Sequence, residues 1–260
     1  MVLVSIFPLL IILHLVLGQR DNSDNILANP QISTSDNEKL SMELYAKAHS
    51  YLSLSRAFKN YTLEDTISLV NQVSSWKAPQ ELQEKFPYYH AGYDEYDRPV
   101  WIAEVGKFDI PRQIRKGPEM ANNITQYLFQ AVLRIGESVL AKDTPTKEVR
   151  EIFGILDWEG FEFAQILHIP TVRFALNLLQ TYYDFLDLGL GHAVMINTNH
   201  VTKVLFETIQ PALGESFRKI EFFKSDKAEW MAALQKLLPS NAIPPWYGGS
   251  SDFKPVQVFG

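Results

Sequence analysis

Apolar residues follow two rhythms along this chain, a helical one at first and then a regular exchange of strand-like and helix-like runs. Within 38–75 they recur three or four apart: Leu40, Leu44 and Ala48 share one face, followed by Tyr51 and Leu54. Thr62-Leu63-Glu64-Asp65 predicts a helix start, with Thr62 as N-cap and Asp65 in the capping-box position. Ile67, Val70 and Val73 continue that helix toward Trp76. Beyond residue 85 the rhythm changes. Short β-type runs at 100–105, 151–156, 192–196 and 220–223 alternate with helical patterns at 122–140, 166–185, 201–209 and 227–237. In the first of these helices Tyr127, Leu128, Ala131, Val132 and Ile135 lie on one side. Such alternation predicts an α/β fold, a mixed and mainly parallel sheet covered by helices. A small all-helical module at 38–80 precedes a main domain at 85–250. Pro244-Pro245 is expected to end regular structure, leaving 251–260 as a tail.

Composition narrows the chemistry. A chain of 260 residues with 46% hydrophobic and 12% aromatic residues has enough apolar surface for a large core or for an apolar cavity. The formal charge of −6 argues against a nucleic-acid partner, which calls for excess Lys and Arg. With no cysteine, thiol catalysis and disulfides are excluded. The six histidines are scattered, with none at ligand spacing on a helix, so no metal site and no cofactor is expected. No Gly-x-Ser-x-Gly elbow, Walker loop or His-Glu-x-x-His helix is present, and the chain is not expected to be an enzyme.

At the N-terminus, 2–18 carries no formally charged residue, and Gly18 stands at the return to polar sequence. This predicts a signal peptide at 1–18, with an uncleaved signal anchor as the alternative, followed by a disordered leader at 19–37. The expected location is secreted or in the secretory lumen; membrane-anchored or cytoplasmic placement is the alternative. Asn60-Tyr61-Thr62 and Asn123-Ile124-Thr125 are then glycosylation candidates, at Asn60 and Asn123.

Several segments between Phe86 and Gly249 carry a resemblance. They are Phe86-Pro87, Gly92-Tyr93-Asp94, Arg98-Pro99-Val100-Trp101, Ile155-Leu156-Asp157-Trp158-Glu159-Gly160, Val194-Met195-Ile196-Asn197, Arg218-Lys219-Ile220 and Trp246-Tyr247-Gly248-Gly249. In this order and spacing they resemble the CRAL-TRIO lipid-binding family, nearest to its tocopherol-associated (supernatant protein factor) branch. With only a short tail after 250, no counterpart of that branch's C-terminal β-sandwich is expected in this sequence.

The resemblance implies binding and transfer of a hydrophobic molecule that is tocopherol-, retinoid-, isoprenoid- or phospholipid-like. It also implies transient membrane contact and a monomer. It places a gating helix at Val201, Val204, Leu205, Phe206 and Ile209, with Phe206 tolerating outward apolar contact and Lys203 and Glu207 at the interface. The pocket floor is expected from the strands and its wall from helices 127–135 and 173–185. Candidates are Phe153, Ile155, Val194 and Ile196 on the sheet and Phe161, Phe163, Phe174, Leu178, Tyr182 and Phe185 around it. Lys219 matches the lysine that phosphoinositide-binding members use for phosphate, and Lys59 lies near a second basic position. The acidic element expected after Tyr182-Tyr183 is replaced by Asp184-Phe185-Leu186-Asp187, which leaves Lys219 equally readable as a strand-end charge. Asp157 and Glu159 are expected to cap a turn at Gly160, not to act as a carboxylate pair. The alternative function is a non-catalytic interaction protein with a filled pocket.

Overall fold

The computed structural model describes residues 40–260. The expected signal segment at 1–18 and the whole of the expected leader at 19–37 lie outside them. The chain enters through two helices, α1 (Met42–Leu52) and α2 (Leu63–Ser75). Ser41 caps the first. At the second, Thr62 and Asp65 exchange side-chain and backbone hydrogen bonds, as the spacing predicts. This hairpin is not a self-contained core. Leu52, Phe58, Leu69 and Val73 pack with Phe129, Leu133, Tyr182 and Phe185 of the main domain. The turn between the helices is fastened by Asp184, which accepts from Ser55 Oγ at 3.2 Å and from the Arg56 backbone at 2.6 Å.

Next come α3 (Gln80–Lys85), β1 (Tyr88–Tyr93), β2 (Pro99–Ala103), α4 (Ile110–Ile114), α5 (Pro118–Leu140) and β3 (Ile152–Asp157). The chain continues with α6 (Phe163–Leu167), α7 (Ile169–Gly189), β4 (Leu190–Ile196), α8 (His200–Leu213), β5 (Ile220–Phe222), α9 (Lys227–Leu237) and β6 (Gln257–Phe259). The six strands lie in the order β5-β4-β3-β2-β1-β6. Strands β2 to β5 are mutually parallel, while β1 runs antiparallel to both β2 and β6. Parallel strands with helices on both faces read as continuous apolar runs, and that is how 151–156 and 192–196 read.

Strand pleating sends alternate residues to opposite layers. Val100, Ile102, Phe153, Ile155, Val194 and Ile196 face Trp230 and Leu234 of α9. Ile152, Leu156, Ala193 and Met195 face the other way, toward Phe206 of α8 and Leu179 of α7.

Two strands escaped the sequence pattern. Residues 88–93 mix Tyr, His and Gly without alternation, and β6 lies in the segment expected as a tail. Three residues are too short to show a period, and β6 exists by pairing with β1, Tyr88 opposite Phe259. The Phe259 ring stacks on Tyr88 at 5.3 Å, and the Arg134 guanidinium sits 4.0 Å from its centroid.

The turn after β3 is tied to the chain's C-terminal part. Asp157, 4% exposed, accepts from Tyr247 Oη at 2.7 Å, Asn197 Nδ2 at 2.8 Å and the Glu159 backbone at 2.9 Å. Gly160 takes φ +85°, as expected for that turn. A side chain at Gly106 would run into the Glu159 carbonyl.

Burial raises the phenol pKa values of Tyr89 and Tyr247, with the Asp157 carboxylate adding to the latter, and pushes those of Tyr51 and Tyr127 up to about 12. Below pH ~10 these groups are protonated in both folded and unfolded chains. Above it the unfolded chain releases protons that the folded chain keeps, so stability falls as pH rises. Urea midpoints are expected to hold steady up to pH ~10 and to drop progressively toward pH ~12, in step with tyrosinate absorbance.

Candidate functional site

A partly open, mainly apolar cavity of about 220 Å³ lies where the entry hairpin meets the main domain. Each wall follows from a helical or strand period. On α1, Leu44, Ala48 and Leu52 stand four residues apart and face inward; Leu69, Val70 and Val73 do the same on α2. Helix α5 contributes Phe129, Val132, Leu133 and Gly136, an i, i+3, i+4, i+7 stripe. Ile152 and Leu190, at the starts of β3 and β4, close one side, and Phe185 and Gly189 at the end of α7 another.

Two glycines keep this space open. A Cβ added at Gly136 or at Gly189 would meet no atom within 4 Å. Glycine inside a helix costs about 1 kcal/mol relative to alanine, so Gly136 weakens α5 while leaving room beside it.

One rim is polar. Lys47 is buried, and its Nζ donates to Asp143 Oδ2 at 2.8 Å, Glu148 Oε1 at 2.9 Å and the Val149 carbonyl at 2.7 Å. Arg150 donates to Glu148 at 2.7 Å and to Ser50 Oγ at 3.2 Å, with its guanidinium 4.4 Å from the Tyr51 ring centroid. Tyr51 Oη donates to the Arg150 carbonyl. What these side chains turn toward the cavity is mostly stem and ring.

The helices expected to wall the pocket do contribute to this cavity, through Phe129, Val132, Leu133 and Ile135 of 127–135 and Phe185 of 173–185, while the other residues expected from sequence lie elsewhere. Phe153, Ile155, Val194 and Ile196 are buried against α9, on the sheet face opposite Ile152 and Leu190. A period of two separates the faces of a strand and does not say which face is hollow; one residue of parity moves the whole set. Phe161 meets Trp158 edge to face at 4.9 Å. Phe163 is exposed, and Leu178 is half-buried. Phe174 packs near Phe86 and Tyr127. Tyr182 comes nearest, stacked on Phe58 and edge-on to the cavity residue Phe129. At Tyr182 itself α7 departs from helical geometry, with φ −123° and ψ 15°. Two sequence features mark the observed cavity: the Leu44–Ala48 stripe, read only as a helix face, and Gly136 midway along α5, which the pattern of apolar positions passes over.

Helix α8 is capped by Asn199 and covers the sheet, with Lys203 and Glu207 3.7 Å apart on its exposed side. Val201, Val204, Leu205 and Ile209 are half-buried. Phe206 does not face outward. It is buried, edge-to-face with Trp158 at 5.3 Å and Phe222 at 4.8 Å, because the i, i+3 partners of the stripe carry it under the helix. These rings pack against its buried side.

Lys219 donates to the Leu190 carbonyl at 2.6 Å and lies 3.5 Å from Glu151 Oε1. Lys59 and Asn60 are exposed in the turn between α1 and α2. Asn123 lies within α5, and the buried Thr125 of its sequon donates to the Ala121 carbonyl at 3.1 Å. Asp157 has every role of a turn staple and none of a free carboxylate.

A family model described as the CRAL/TRIO domain matches residues 83–249. Among curated proteins, "Protein real-time" of Aedes aegypti is 20% identical over 216 residues, covering 74% of this chain and 32% of its own length. Its namesake in Anopheles gambiae is 21% identical over 189 residues, 68% of this chain and 26% of its own. The chain thus spans about a third or less of the length of these relatives. Among solved structures, Sfh5 aligns with 82% of this chain and 74% of its own, at 15% identity and a TM-score of 0.48.

Proposed function

The chain belongs to the CRAL/TRIO domain family, whose members bind hydrophobic small molecules or lipids, and on that footing we propose that it carries and transfers a lipophile. The observation that supports this most is the apolar cavity walled by α1, α2, α5 and the starts of β3 and β4. Burying roughly 400 Å² of apolar ligand surface contributes on the order of 10 kcal/mol before ordering costs, enough for micromolar binding. Drug-sized ligands occupy pockets of roughly 300 Å³ and more, so a tocopherol-, retinoid-, isoprenoid- or phospholipid-sized guest needs the walls to part. The tocopherol-associated branch is our assignment from the Asp157-x-Glu159-Gly160 turn.

We assign that motion to helix α8, which is not itself a wall of the cavity but packs, through the cluster around Phe206, with the cavity residues Ile152 and Leu190, so that its departure would free space beside them. Its approaches are Asn197 at φ 56° and Gly214 at φ 54°, terminal positions suited to act as hinges. Contact with a membrane surface would favour the open form only through its differential affinity for it. The chain acts as a monomer in this scheme. From the apolar 2–18 segment we also propose passage through the secretory route, with Asn60 the more accessible sequon. Mass spectrometry of the mature N-terminus, expected at Gln19, tests that placement.

The packing of Phe206 against Trp158 and Phe222 favours a second reading, a non-catalytic interaction protein with a filled pocket. One experiment separates the two. Organic extraction of the purified protein is expected to yield a lipid, and the protein is expected to accelerate lipid movement between vesicles. An empty extract together with no transfer would leave only the second reading.

A further inference from the structure

Resting on the lipophile-binding reading, we infer that the cavity selects an uncharged guest and rejects carboxylates and phosphates. The cations around it are already spent. An ammonium has three donors, and Lys47 gives one each to Asp143, Glu148 and the Val149 carbonyl. Its side chain is 5% exposed, so water does not stand in for a lost partner. Arg150 is matched by Glu148 and Ser50, and its flat face is covered by Tyr51. Next to the cavity residue Leu190, Lys219 donates to that residue's carbonyl and faces Glu151. Glu151 in turn lies 3.9 Å from Arg98, which is held by Asp94 at 2.7 Å.

An anionic head at Lys47 and Arg150 finds their charges already balanced by Asp143 and Glu148, which stand behind them and are not part of the cavity lining. It loses its hydration and gains no uncompensated cation in return. A neutral head loses little, because the rim asks nothing of it. Selectivity arises from charge balance within the chain, with no dedicated contact to the ligand.

The test uses the full chain loaded with the neutral dye N-phenyl-1-naphthylamine at neutral pH. Decanol, decanoate and decyl phosphate then compete for the dye, each below its aggregation limit. Decanol is expected to displace the dye at about tenfold lower concentration than either anion, a difference of about 1.4 kcal/mol. Glu148→Gln removes one negative charge and weakens the hold on both Lys47 and Arg150, and the decanol-to-decanoate preference is expected to shrink toward one. Asp143→Asn is expected to act in the same direction, which a merely structural effect on the fold would not produce. Anions that displace the dye as readily as decanol overturn the inference while leaving the cavity a binding site. A preference untouched by both variants overturns it as well, and a chain that takes up no dye overturns the inference together with the lipophile-binding reading.

Discussion

Phenylalanine at position 136 is expected to weaken lipophile uptake by well over tenfold while leaving the protein at least as stable as before. Gly136 lies on the cavity stripe of α5, and a side chain there meets open space. Helical side chains lean back over the preceding turn, so the new ring would lie over Val132 and Leu133, both cavity residues. A cavity of roughly 150 Å³ holds a benzene, so a phenyl group leaves little of about 220 Å³ for a guest. If the guest loses about 100 Å² of apolar contact, binding weakens by about 2.5 kcal/mol, or roughly 50-fold. The helix gains a few tenths of a kcal/mol from losing a glycine. Dye uptake, vesicle transfer and thermal melting on one preparation check the pair of effects. Full uptake by a stable Gly136→Phe protein would mean that the guest binds elsewhere, under α8 in the first instance.

Asp157→Ala is expected to destabilise the fold by about 3–5 kcal/mol. Its carboxylate is the sole described acceptor for the buried Tyr247 hydroxyl, and it also holds Asn197 and the Glu159 backbone. Removing it leaves these donors stranded at about 1–3 kcal/mol each. Against a total stability of roughly 5–15 kcal/mol that loss is large. Tyr247→Phe removes one donor and leaves two on the carboxylate, so it should cost less, about 1.5–3 kcal/mol. Urea unfolding of both variants reads the order directly. The staple joins the end of β3 to the segment after α9, so the damage should appear as one cooperative loss. Equal costs for the two variants would sink this account.

Much of the architecture was legible because it repeats. The last helix was expected at 227–237 and is found at Lys227–Leu237, since its caps and its period agree. Thr62 and Asp65 were readable as a capping box because both partners are three residues apart in the chain. Strands β3 and β4 announced themselves by apolar runs that only a doubly covered sheet can bury. Strands β1 and β6 did not: β1 lacks an alternating pattern, and β6 is held only by pairing with β1, where Phe259, Tyr88 and Arg134 meet across the fold.

The sequence by itself determined most of the layers: the long helices, the strands β2 to β5, that the sheet is mainly parallel and that its faces are apolar. Local hydrogen bonding and side-chain period carry that information within a dozen residues. Only the tertiary structure decided where the molecule is hollow and which way Phe206 points. A cavity is a shortfall of atoms where several elements meet, here α1, α2, α5, α7 and two strand starts, and no single element's pattern records how completely its neighbours fill the space.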